Sequence, residues 1–154
     1  MKYVLDTSVI IKGLIKPRRK KADNIRIEQF KAYKTASAII DDIYNGAIDL
    51  YIPTVAVIEI SAVASRLTGS KVVGISTANF VEALAAEVID EKTILAECIA
   101  VAAETKASGF DVVFITCAKI LGLPLITDDK GMYDAAIRIG VKAELLRDMP
   151  EKGV

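Results

Sequence analysis

Four carboxylate positions stand where the surrounding sequence is built for burial. Asp6 closes the apolar run Tyr3-Val4-Leu5 and precedes Val9-Ile10-Ile11; Glu59 interrupts Val55-Ala56-Val57-Ile58 and Ile60; Asp111 lies between Phe110 and Val112-Val113-Phe114-Ile115. A fourth acidic spot, Asp128-Asp129, follows Pro124-Leu125-Ile126-Thr127. An isolated ionised carboxylate in such a setting is costly, and proteins relieve the cost by pairing it, protonating it or giving it a metal ion. Taken singly, each acid has a structural use. Glu59 could sit on the wet side of a half-buried helix, Asp6 could cap a helix starting near Ser8, and Asp129 could cap the helix after it. Together they would need four separate explanations, and one shared site replaces them. Four carboxylates without an imidazole form a hard oxygen donor set, suited to Mg²⁺ or Mn²⁺ rather than zinc or copper. A cation so held can activate water and stabilise charge developing on a phosphodiester, so hydrolysis of that bond is the chemistry that follows.

The rest of the composition removes the competitors. The chain has 154 residues and no histidine, which excludes Ser-His-Asp and Cys-His nucleophile pairs, histidine-ligated zinc or haem, and a histidine general base. Cys98 and Cys117 form no CxxC pair, so they read as reduced core thiols rather than a disulfide framework or a zinc ribbon. No GxGxxG or GxxxxGK[ST] pattern cradles a nucleotide. No leader pattern opens the chain, and no apolar run is long enough for a membrane span, so the expectation is a soluble, cytoplasmic protein with no membrane partner. With 53% hydrophobic and 26% charged residues, the chain is expected to pack a core and fold by itself as one α/β or helical domain.

The acids must be positioned by short strands and helices. Lys2 to Asp6, Leu50 to Pro53, Leu123 to Thr127 and Lys142 to Leu146 read as strands. Helices are expected over Ser8 to Ile15, Ile25 to Asn45 before Gly46, Thr54 to Leu67 with Thr54 as its cap, and Thr77 to Ala86. Three more are expected: Asp90 to Ala107, Phe110 to Leu121 before Gly122, and Lys130 to Ile139. Leu95, Cys98, Ile99, Ala102 and Ala103 have the spacing of a buried helical stripe. Strands alternating with helices indicate a parallel sheet covered on both faces. In such sheets, ligands bind beyond the carboxyl ends of the strands, where Asp6 and Asp129 would lie.

The formal net charge of zero conceals an asymmetry: residues 1–34 hold ten Lys and Arg against three acids, and the remainder holds ten against seventeen. Much of the positive end is the cluster Lys16-Pro17-Arg18-Arg19-Lys20-Lys21, whose like charges and proline favour a solvated loop. Beside an acidic metal site, Lys16, Arg18, Arg19, Lys20 and Lys21 suit contact with backbone phosphates. Phe30 and Tyr33 follow closely; stacking on bases is open to them, with helix packing the more ordinary use.

At these residues the chain resembles the PIN-domain family and, within it, the VapC-like toxin ribonucleases, over nearly its whole length. Tyr3-Val4-Leu5-Asp6-Thr7-Ser8-Val9-Ile10 resembles the family's first strand and first acid, and Pro53-Thr54-Val55-Ala56-Val57-Ile58-Glu59-Ile60 the helix carrying the second. Asp111-Val112-Val113-Phe114-Ile115-Thr116-Cys117-Ala118 is similar to the segment with the third, and Leu123 to Asp129 to the strand ending in Thr-x-Asp, which selects Asp129 over Asp128. The resemblance implies a three-layer α/β/α sandwich with a short parallel sheet, one nuclease domain over 1–154. It implies a Mg²⁺- or Mn²⁺-dependent endoribonuclease acting on single-stranded RNA as the toxin of a type II toxin–antitoxin pair, a homodimer silenced by a small antitoxin. Asp6 and Asp111 would be the principal metal ligands, Glu59 and Asp129 would complete the pocket directly or through water, and Ser8 or Thr127 would support them. Two departures stand out: Gly131 occupies a position where many relatives carry another acid, which weakens a second metal site, and the basic stretch with the helix after it is longer than in compact toxins. The alternatives are a housekeeping RNA-processing nuclease, whose zinc ribbon two isolated cysteines do not build, and a non-catalytic RNA- or protein-binding module.

Overall fold

The computed structural model describes residues 1–150, so the last four residues of the expected 1–154 domain lie outside the described residues. Five strands, β1 (Lys2–Leu5), β2 (Asp49–Pro53), β3 (Glu87–Ile89), β4 (Leu125–Thr127) and β5 (Ala143–Leu145), form one parallel sheet in the order β3-β2-β1-β4-β5. The helices are α1 (Thr7–Leu14), α2 (Asn24–Tyr44), α3 (Thr54–Thr68), α4 (Lys71–Leu84), α5 (Leu95–Thr105), α6 (Gly109–Leu121) and α7 (Lys130–Arg138). The architecture is an α/β/α sandwich, as expected. Successive strand residues point to opposite faces, and both Val4 and Leu5 are fully buried, as are Leu125 and Ile126 beside them. Helices therefore cover the sheet on both sides at its centre. Among the described residues, no helix is long and apolar enough to cross a membrane.

This order places the site. Strand order reverses at β1, which pairs with β2 on one side and β4 on the other, so the crevice of a doubly wound sheet opens at the carboxyl ends of β1 and β4. Register is held to the last residue: Val4 pairs with Leu125, Leu5 with Ile126, and the Asp6 N–H donates to the Ile126 carbonyl at 3.0 Å. β1 thus delivers Asp6 to the crevice while still attached to its neighbour.

Two glycines set how closely the covering helices approach. A Cβ on Gly13 in α1 would lie 2.8 Å from the Ala36 carbonyl oxygen of α2, and one on Gly74 in α4 would lie 2.5 Å from the Ser61 carbonyl oxygen of α3. The sequence reading starts this helix at Thr77, after Gly74. The helix begins at Lys71, capped by the Ser70 hydroxyl accepting from the Val73 N–H at 3.2 Å, and Gly74 is a contact point rather than a break.

Other boundaries also differ. Thr54 does not cap α3; Pro53 is the cap residue, and the Thr54 hydroxyl donates instead to the Ile89 carbonyl at 3.1 Å. The single helix expected from Asp90 is a 3₁₀ turn, Glu91–Ile94, followed by α5. The expected stripe of α5 is rotated: Cys98, Val101 and Thr105 are buried, while Leu95 and Ile99 are 56% and 63% exposed. A buried threonine evades a hydrophobicity count because its hydroxyl is satisfied locally, here by donating to the Val101 carbonyl at 2.7 Å. Strand β3, three residues at the sheet edge, is too short to show a period. Both cysteines are free and buried, and burial pushes the Cys117 thiol up to about 12, consistent with inert core thiols.

Gly13→Ala is expected to destabilise the fold by about 1–3 kcal/mol, since the added methyl meets a backbone oxygen that moves only with α2. Urea unfolding measures it, and unchanged stability would show that α2 gives way without cost.

Candidate active site

A cleft of about 660 Å³ at the ends of β1 and β4 is lined by Asp6, Glu59, Asp111 and Asp129. Four elements deliver them: the turn from β1 into α1, the second turn of α3, the first turn of α6 and the turn from β4 into α7. Asp6 is 6% exposed. It sits at the cap position of α1 but makes no side-chain capping bond; its Oδ2 accepts from the Ser8 hydroxyl and, at 2.9 Å, from the Thr127 hydroxyl. Thr127 is itself fully buried and accepts from the Asp129 N–H at 3.0 Å. One threonine thus links the first acid to the fourth.

Glu59 and Asp111 are half-buried and Asp129 is exposed. The Thr7 hydroxyl donates to Glu59 Oε2 at 2.7 Å, tying α3 to α1 beside Asp6. Asp129 does cap α7, accepting from the Met132 N–H at 2.9 Å, and lines the cleft as well, so its capping and site readings are compatible. The apolar surroundings that single out Glu59 and Asp111 in the sequence are partly at the surface: Ile58 is 67% and Phe110 56% exposed.

Burial raises the Asp6 carboxyl above its ordinary range; hydrogen bonds from Ser8 and Thr127 oppose this, and the charge of Asp129 adds to it. Burial likewise raises Asp111, opposed by the Ser108 hydroxyl and reinforced by Asp129 and Asp6. Three of the four acids therefore repel one another across the cleft.

The basic segment divides. Lys16, Arg18 and Arg19 line the cleft together with the acids, whereas Lys20 and Lys21 are exposed and do not. Arg19 is held by Asp23, the cap of α2, with its Nε donating at 3.0 Å. Phe30 does not reach the cleft; the Lys16 ammonium and Arg26 guanidinium stand 5.8 and 5.5 Å from its ring centroid. Tyr33 and Gln29 do line it. Sequence reasoning passed over Thr7, Lys12 and Gln29; the signal for Lys12 was a lone cation within Val9-Ile10-Ile11-Lys12-Gly13-Leu14.

Fold and cleft together define an α/β/α domain with a carboxylate-lined crevice at the switch point of its sheet. The chain belongs to the PIN domain family, whose model matches residues 3–138. PIN domains are generally nucleases and generally use divalent metals. Among solved structures, the chain is similar to FitAB bound to an IR36 DNA fragment, at 18% identity and a TM-score of 0.66, covering 98% of this chain and 99% of that one. It is also similar to VapBC2 from Rickettsia felis bound to a DNA fragment from their promoter, at 16% identity and a TM-score of 0.57, covering 94% and 98%. A third is FitAcB from Neisseria gonorrhoeae, at 19% identity and a TM-score of 0.56, covering 96% and 99%. At these identities the likeness is one of fold. None of the curated proteins compared matches at a significant level.

The donor set fits a hard divalent cation: carboxylate oxygens, held in mutual repulsion that a cation would relieve. As the side chains stand, no three acidic or sulfur groups among the described residues are close enough to hold one ion together. Of the four, Glu59 is engaged by the Thr7 hydroxyl and Asp129 by the Met132 N–H.

Carboxyls raised above their unfolded values make the fold most stable below the ordinary carboxylate range, and that stability is lost as pH rises through the raised values. Ionised Asp6 and Asp111 therefore cost stability at neutral pH. Asp6→Asn and Asp111→Asn are each expected to raise the melting temperature at pH 7 without divalent ions, the gain vanishing below about pH 4. Lower melting temperatures for both variants at pH 7 would contradict the repulsion.

Proposed function

We propose that the chain is a Mg²⁺- or Mn²⁺-dependent endoribonuclease, the toxin of a type II toxin–antitoxin pair, which cuts single-stranded RNA and is silenced by a small antitoxin protein. The observation that carries this is one cleft lined both by four carboxylates and by Lys16, Arg18 and Arg19. The resemblance to VapC-like toxins and the fold shared with VapBC2 and FitAB support the antitoxin partner. Homodimerisation and a cytoplasmic location belong to the same reading.

Asp6 and Asp111 would hold the divalent ion, whose chemistry there would be to activate water and stabilise charge on the phosphodiester. The chain's own part is to arrange the surroundings. Ser8 and Thr127 hold the Asp6 carboxylate in one orientation, and Thr127 couples it to the backbone of Asp129. The basic residues hold the phosphate backbone in register with the acids, where their charge also offsets repulsion between polyanion and cleft. Tyr33 offers a flat surface for an unstacked base.

Purified protein with labelled single-stranded RNA is expected to cleave it only with Mg²⁺ or Mn²⁺, and Asp6→Asn or Asp111→Asn to lower the rate by roughly 100-fold or more. Cleavage surviving both substitutions sinks the assignment. Cleavage of DNA but not RNA would redirect the substrate, and RNA binding without cleavage would favour a non-catalytic module. Replacing Lys16 or Arg18 by Ala is expected to weaken RNA binding and to reduce the salt dependence of log K by about one unit per lost phosphate contact. An unchanged salt slope would remove these basic residues from the RNA path.

A further inference from the structure

Lys12 lines the same cleft as the four acids, yet its ammonium pairs with none of them. It pairs with Asp128, whose side chain is 8% exposed. Asp128 is braced from its other side. Arg147 Nε donates to its Oδ1 at 3.2 Å, and Arg147 Nη2 donates to its backbone carbonyl at 2.6 Å. The Asp128 N–H points at the Ser8 hydroxyl at 3.4 Å. Two adjacent acids thus do different things: Asp129 lines the cleft, and Asp128 collects the cations beside it.

The arrangement solves a problem that the cleft creates. Lysine carries a compact charge on a flexible four-carbon stem, and Lys12 stands on α1 about one helical turn beyond Ser8. Left unpaired, its ammonium would be drawn to the mutually repelling carboxylates in the same cavity and would compete with a divalent ion for them. We propose that Asp128, braced by Arg147, is a positioning residue that withholds the Lys12 ammonium from the acidic cleft and so keeps the carboxylates available to a divalent cation. This rests on the reading of the cleft as a cation site.

The two-residue dependence makes a sharp test. Mn²⁺ binding is measured by calorimetry at neutral pH for the wild type, Asp128→Ala, Asp128→Asn, Lys12→Met and the double variant Asp128→Ala with Lys12→Met, each checked for folding by thermal unfolding. Loss of Asp128 is expected to weaken Mn²⁺ binding about 10-fold. Removing Lys12 as well is expected to restore affinity to near the wild-type value, and Lys12→Met alone to bind no more weakly than wild type. A purely structural clamp gives the opposite pattern, with the double variant as weak as Asp128→Ala or weaker; that result overturns the proposal, as does unchanged affinity in both Asp128 variants. Should Asp128→Ala unfold, Asp128→Asn with and without Lys12→Met carries the comparison. A wild type that binds no Mn²⁺ overturns the cation reading of the cleft itself, an outcome distinct from tight binding that Asp128 does not influence.

Discussion

A carboxylate taken out of water at the end of the central strand is the constraint on which the rest of this site depends. Asp6 is almost fully buried there, and Asp111 and Asp129 line the same cleft and add their charge. The core beside Asp6, formed by Val4, Leu5, Leu125 and Ile126, is apolar. The neighbourhood is organised to tolerate the acids. Two hydroxyls fasten Asp6, one threonine fastens Glu59, and the amino end of α7 fastens Asp129. Hydrogen bonds to a carboxylate offset part of its desolvation but leave the repulsion in place. The divalent cation proposed for this site would relieve that cost.

The zero net charge of the chain is the sum of two surfaces with different tasks. The basic segment between α1 and α2 contributes Lys16, Arg18 and Arg19 to the lining of the acidic cleft, and Lys20 and Lys21 stay exposed outside it. The same opposition operates on a shorter scale at Asp128, where one acid takes up Lys12 and Arg147 beside the group that lines the cleft.

Much of this was legible in the sequence because local pattern and function coincide. Strands β1 and β4 end in an acid after an apolar run, and the glycines after α3 and α6 mark their ends. The start of α4 was placed late, at Thr77 rather than Lys71; its first turn contains Gly74, which a close crossing with α3 requires. The rotated face of α5 was hidden by a buried threonine, and β3 by its brevity. The acids stood out through their apolar neighbours, although Ile58 and Phe110 prove to be surface residues. What no local pattern contains is the set of long-range contacts: Thr7 to Glu59, Thr127 to Asp6, and Lys12 to Asp128 across more than a hundred residues of chain. Those contacts give Asp128 its own partners, Lys12 and Arg147, where the Thr-x-Asp pattern had singled out only Asp129.

The central claim is that the buried acids at the end of β1 are held in place to receive a divalent cation. Anomalous scattering from crystals soaked in Mn²⁺ addresses it directly, because the signal locates the ion without reference to activity. The account predicts a peak between Asp6 and Asp111, absent from crystals of Asp6→Asn. A peak elsewhere, or none in the cleft at saturating Mn²⁺, would contradict it.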